Sequence, residues 1–255
     1  MFRRRVPLVL ALLISPAMLV LSAQAQRRDV DIKASDGTVL KATYFSPGVP
    51  GPAILLLHQC SMTRHAWDDL AADLSQAGIH VLAFDYRGYG DTKGKLPPAP
   101  PTPPQAAGGN SQFGPTTSGS WVANTDVEAA YAFLRSQNGV DRTHVAAGGA
   151  SCGAQFAADL AMHHPEMKAL MLISGRISDS AAAHIAATSW LAVLGVAAQE
   201  DMPIAYEGVR DAIATSRNPA SMMKMVPGRG HGVEIFATAP GLRPSIVRWL
   251  QKQLR

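Results

Sequence analysis

Five stretches of this chain are apolar along their whole length: AILLLH, IHVLAFD, THVAAGG, KALMLIS and WLAVLGVAA. A strand with one wet face alternates polar and apolar residues, so strands that do not alternate must be covered on both faces. Between these runs lie stretches with helical spacing. RHAWDDLAADLSQAG sets Trp67, Leu70 and Leu74 on one face and stops at Gly78. WVANTDVEAAYAFLRSQNG does the same with Val127, Ala130, Tyr131 and Leu134, and AQFAADLAMHH stops before Pro165. IAYEGVRDAIATS and LRPSIVRWLQKQL are further helices, and SMMKMVPG is a last strand. At the front, DVDIKAS and TVLKATYFSP flank Asp36-Gly37, a hairpin signal. This alternation predicts an α/β fold: a mostly parallel sheet of roughly eight strands with helices on both faces.

The first 25 residues stand apart. MFRRR is a basic start, VPLVLALLISPAMLVL an apolar core, and Ala23-Gln24-Ala25 a small-residue cleavage site before Gln26. That is the pattern of a secretory signal peptide, so residues 26–255 are expected to form one exported domain, periplasmic or secreted. The apolar run is short and broken by proline, so no stable membrane span is expected after cleavage. Cleavage removes Arg3, Arg4 and Arg5 and no acidic residue, so the formal charge falls from +4 to +1. With no basic stripe interleaved with aromatics, nucleic acid is not an expected partner. Residues 96–119, LPPAPPTPPQAAGGNSQFGPTTSG, are read as a long Pro/Gly-rich surface loop within the domain. Trp67, Trp121, Trp190 and Trp249 fall within predicted elements and are expected in the core, and Met222, Met223 and Met225 as strand packing.

The chemistry is carried by Gly149-Ala150-Ser151-Cys152-Gly153, a G-x-S-x-G pattern between a predicted strand and a predicted helix. A sharp turn there presents the central hydroxyl, Ser151, as a nucleophile. Cys152 then occupies the first helical turn, where its backbone N–H faces a developing oxyanion. Cys152 as the nucleophile is the alternative, but the glycines centre on Ser151. A serine needs a base, and His231 in PGRGHGVE lies in a glycine-flanked loop between the last strand and the last helix. The base needs an orienting carboxylate. Asp201 follows LGVAAQE at the end of a predicted strand, with Glu200 and Asp179 as alternatives. Asp85 and Arg87 are expected to order the turn after their strand. No His, Cys and carboxylate set has metal-ligand spacing, and no G-x-G-x-x-G follows a strand, so neither metal nor cofactor is expected.

Five segments in order then define a resemblance: LLLHQC, FDYRGYGDT, GGASCG, AAQED and GRGHG. Along nearly its whole mature length the chain resembles the α/β-hydrolases, in particular the compact esterases and dienelactone hydrolases. The resemblance implies a Ser151–His231–Asp201 triad. It also implies oxyanion donors from Cys152 and from the turn at Gln59 and Cys60, while the segment between Ser174 and Ser189 is too short for the lid domain that many relatives insert there. Two residues depart from the family: Gln59 stands where glycine is usual, and dienelactone hydrolases carry cysteine where this chain has Ser151. The resemblance also brings Cys60 and Cys152 to neighbouring donors, where they either form a disulfide or remain small buried thiols. The expected reaction is hydrolysis of a small-molecule carboxylic ester through an acyl-enzyme. Amide, peptide and thioester bonds, or a non-catalytic binding role on the same scaffold, are the alternatives.

Overall fold

The computed structural model describes residues 25–94 and 117–255, with side chains in the second span from residue 125 onward. Eight strands form one sheet: β1 (Gln26–Lys33), β2 (Val39–Ser46), β3 (Gly51–Leu57), β4 (His80–Phe84), β5 (Val140–Ala150), β6 (Met167–Ile173), β7 (Ala192–Ala198) and β8 (Met222–Val226). Their spatial order is β1-β2-β4-β3-β5-β6-β7-β8. β2 runs antiparallel to both of its neighbours, and every other pairing is parallel.

The unbroken apolar runs are explained by what covers them. Along β3, Leu55 and Leu57 face one core while Ile54 and Leu56 face the other. The first core is closed by α2 (Thr117–Ser136), α3 (Cys152–His163), α4 (Asp179–Ala187) and α5 (Pro203–Thr215). The second is closed by α1 (Asp68–Gln76) and α7 (Leu242–Gln253), through Leu70, Leu74, Ile246 and Leu250, with Trp67 from the turn just before α1. A short helix, α6 (Ile235–Thr238), precedes α7. Among the described residues no helix is long and apolar enough to cross a membrane.

Several expectations need correction. Thr117–Gly119 belong to α2 and not to the Pro/Gly-rich loop, whose residues 96–116 lie outside the described residues. The leader assigned to residues 1–25 lies outside them too, apart from residue 25. Trp190 is not in the core: it is 53% exposed, and its indole N–H donates to the Pro165 carbonyl at 3.1 Å. Met222 and Met225 are exposed because β8 is an edge strand, and only Met223 packs against a core. Trp121 has no described side chain. Helix α4 carries no strong apolar period and was not expected from the pattern.

Two buried ion pairs, Arg64 with Asp85 and Arg87 with Asp126, fix the loops at the carboxyl edge of the sheet. Arg87, just past β4, grips both carboxylate oxygens of Asp126 on α2 and reaches Asp36 at 2.6 Å. Asp126 is wholly buried. Removing one partner of such a pair leaves a charge stranded in a low-dielectric site. Asp126→Ala is therefore expected to lower unfolding stability by about 3–5 kcal/mol, which urea denaturation of the two proteins measures.

Candidate active site

All the implicated side chains stand just past the carboxyl ends of parallel strands. His58, Gln59 and Cys60 follow β3, Ser151 follows β5, Ser174 follows β6, Asp201 lies beyond β7 and His231 beyond β8. Strands β4 and β5 flank β3 on opposite sides, so the winding of the sheet reverses between β3 and β5. The crevice opened by such a reversal is where α/β sheets bind ligands.

The Ser151 turn is tight enough to dictate its neighbours. Ser151 has φ 54° and ψ −119°, a left-handed conformation that a non-glycine residue adopts only when its surroundings enforce it. The enforcement is close contact. A Cβ at Gly149 would lie 2.0 Å from the Gly153 carbonyl oxygen, and one at Gly153 would lie 2.2 Å from that of Leu57. Only glycine at both positions lets α3 settle against the ends of β3 and β5. The Ser151 N–H donates to the Ile173 carbonyl at 2.8 Å, which ties the turn to β6.

The structure brings Ser151, His231 and Asp201 into one hydrogen-bonded line. His231 Nε2 is 2.9 Å from Ser151 Oγ, and its Nδ1 is 2.8 Å from Asp201 Oδ1. A carboxylate can only accept, so Nδ1 carries the proton and Nε2 is left to accept from the serine hydroxyl. Burial pushes the Asp201 carboxyl up, but hydrogen bonds from His231 and the Met202 N–H, with the Ser174 hydroxyl nearby, outweigh it and hold the group below its ordinary value. Asp201 is thus ionised opposite the imidazole. Ser174 favours that charge from nearby, although neither its Oγ nor Asp201 Oδ2 has a partner at ordinary hydrogen-bond distance. The two alternative acids are placed elsewhere. Glu200 pairs with Arg229 at 2.8 Å in solvent, and Asp179 lies in the first turn of α4.

The opposite wall is the turn after β3. His58 is fully buried, its ring tilted against that of Tyr86 with centroids 3.9 Å apart. Its Nδ1–H donates to the Gln59 carbonyl at 2.8 Å, and its Nε2 accepts from the Tyr86 N–H at 3.3 Å. Burial pushes the imidazole below its ordinary value, so it is neutral and acts as a bracket for the turn. Arg64, a few residues on, donates its N–H to Asp85 at 2.7 Å and pairs its guanidinium with the same carboxylate. Asp85 and Arg87 thus order the loops beside the site, as their sequence context predicts.

Cys60 and Cys152 form a disulfide with a Cα–Cα distance of 6.0 Å. It links the β3 turn to the first residue of α3. The leading N–H groups of a helix have no intrahelical partner, and the Ser151 side chain does not cap α3. A cavity of about 540 Å³ lies behind the histidine loop, lined by His65, Asp68, Val233, Phe236 and Arg243. None of the three aligned residues borders it, and the chemistry places the site at the crevice instead.

Two contributors escaped the sequence reading. Ser174 shows only as the last residue of KALMLIS, and nothing in that run signals its left-handed φ of 50° or its approach to Asp201. The sequence marks Gln59 only by the glycine it replaces. In fact it reaches across to the histidine loop, accepting from the Val233 N–H at 3.0 Å.

With this geometry in place, comparison with known proteins is informative. Residues 52–195, more than half of the chain, match the alpha/beta hydrolase fold family. The chain belongs to that family. An uncharacterised protein of Mycobacterium tuberculosis is 33% identical over 140 residues, 54% of this chain and 42% of the relative. The match thus spans less than half the length of that curated relative. Among solved structures, the Pyrococcus furiosus esterase Pf2001 superimposes with a TM-score of 0.67 at 15% identity, covering 91% of this chain and 94% of the esterase. A dienelactone hydrolase from Anabaena variabilis gives 0.69 at 18% identity, covering 91% of this chain and all of the other. A predicted CIB-like hydrolase from Thermoplasma acidophilum gives 0.69 at 18%, covering 90% and 100%. Family and neighbours together support a hydrolase.

The disulfide closes a sequence separation of 92 residues. Unfolded but unreduced protein should take up no alkylating reagent, and reduced protein should take up two equivalents by intact mass. The double variant Cys60→Ala/Cys152→Ala should lose roughly 2–5 kcal/mol of unfolding stability.

Proposed function

We propose that this chain hydrolyses carboxylic esters of small molecules through a serine acyl-enzyme. The observation that carries the reading is the line Ser151 Oγ, His231 Nε2, His231 Nδ1, Asp201 Oδ1, with both contacts under 3 Å. His231 Nε2 takes the hydroxyl proton as Ser151 Oγ attacks the ester carbonyl. Asp201 fixes the Nδ1–H tautomer and stabilises the imidazolium that forms. The Cys152 N–H and a backbone N–H from the Gln59–Cys60 turn meet the oxyanion. Such donors act without reorganising when they are aligned before the reaction. The imidazolium then gives its proton to the leaving alcohol, and water, activated by the same histidine, releases the acid.

An exported enzyme is the companion reading. It rests on the signal-peptide pattern of residues 1–25 and on a disulfide of the kind that persists in oxidising compartments.

A fluorophosphonate probe tests the mechanism directly. Wild type should be labelled at Ser151, and Ser151→Ala should not. With p-nitrophenyl acetate as substrate, Asp201→Asn should retain the fold but lose roughly 10,000-fold in kcat, because the wrong imidazole tautomer then faces the serine. Folded wild type that neither labels nor turns over an ester panel would instead favour a binding protein on a hydrolase scaffold.

A further inference from the structure

We infer that the Gln59 side chain is a positioning residue, which tethers the His231 loop to the oxyanion turn. The inference rests on the triad reading above, and goes beyond it by giving a role to a side chain at a position where glycine is usual.

Gln59 is 2% exposed, and both ends of its amide are used. Oε1 accepts from the Val233 N–H at 3.0 Å, and Nε2 donates to Ser61 Oγ at 3.1 Å. A backbone N–H can only donate, so it fixes which end of the amide faces the histidine loop. The loop is shaped to receive this contact. Gly232, between His231 and Val233, has φ +61°, and a Cβ there would fall 2.0 Å from Gln59 Oε1. A side chain there would push the glutamine amide out of its place. Gly230 on the other side of His231 also has a positive φ, so the imidazole is carried between two conformationally permissive residues. A loop of that composition needs an external hold to keep Nε2 within 2.9 Å of Ser151.

The hold also sets register. Gln59 is the neighbour of Cys60, Cys60 is bonded to Cys152, and Cys152 is the neighbour of Ser151. General base, oxyanion turn and nucleophile are thereby joined in one circuit of short links. Displacing the base by an ångström costs about 100-fold in rate, while substrate binding outside the triad is untouched.

Three readouts test the tether: kcat and KM with p-nitrophenyl acetate, amide hydrogen exchange at Val233 by NMR, and thermal melting to confirm folding. Gln59→Met removes both hydrogen bonds at nearly constant volume. It should lower kcat roughly 10- to 100-fold with KM little changed, and should speed Val233 exchange. Gln59→Glu keeps an acceptor for Val233 and should recover its protection and most of kcat. Should Gln59→Met fail to fold, Gly232→Ala disturbs the same contact from the other side and should give the same loss of kcat with faster Val233 exchange. Wild-type kcat and exchange in Gln59→Met, or a loss that Gln59→Glu shares in full, would overturn the inference. The hydrolase reading fails separately, on a wild type that neither labels nor turns over. In that case Val233 exchange still decides whether the loop is tethered.

Discussion

Everything at the carboxyl edge of this sheet depends on how closely α3 approaches the ends of β3 and β5. Backbone meets backbone there with no side chain between, at Gly149 against Gly153 and at Gly153 against Leu57. That contact forces Ser151 into its left-handed conformation and aims its hydroxyl out of the sheet. It also brings the first residue of α3 beside the turn after β3, where Cys152 is bonded to Cys60. Without the two glycines the strands would still pair, but Ser151 could not hold its place between them.

Around that contact the protein invests in polar interactions that a sheet core does not need. Arg64 with Asp85, Arg87 with Asp126, and His58 with Tyr86 are all buried, and all lie on the loops flanking the crevice. Buried ion pairs are costly to desolvate and contribute little net stability compared with apolar packing. Their value here is geometric. Each has a fixed direction, and each locks a loop that would otherwise be free to move. Asp201 belongs to the same economy, since its charge survives burial only because the imidazole and nearby donors surround it.

Much of this was legible from residue order. Continuous apolar runs gave the buried parallel strands, because a strand covered on both faces has no polar side to show. The G-x-S-x-G turn, the glycine-flanked His231 and the strand-end Asp201 each carry a local signature, and their order carries more. What was not legible depends on distance in space. Helix α4 is mostly alanine and serine and has little apolar period to read. Trp190 looks like core material, yet it sits in the turn before β7 and spends its indole on a carbonyl across the surface. The choice between Asp201 and Glu200 turned on a single residue step, and a strand end alone does not say which of two adjacent carboxylates points inward. The reach of Gln59 is least readable of all, since 174 residues separate it from Val233.

The disulfide has a topological consequence. Cys60 and Cys152 close a covalent ring that contains α1, β4, α2 and β5, and residues 95–116 form part of its circumference. A protease that cuts the chain once within that Pro/Gly-rich stretch opens the ring without releasing either piece. The fragments stay joined through the two sulfur atoms beside Ser151, and they part only under reduction. The bond therefore keeps the molecule a single covalent object after such a cut.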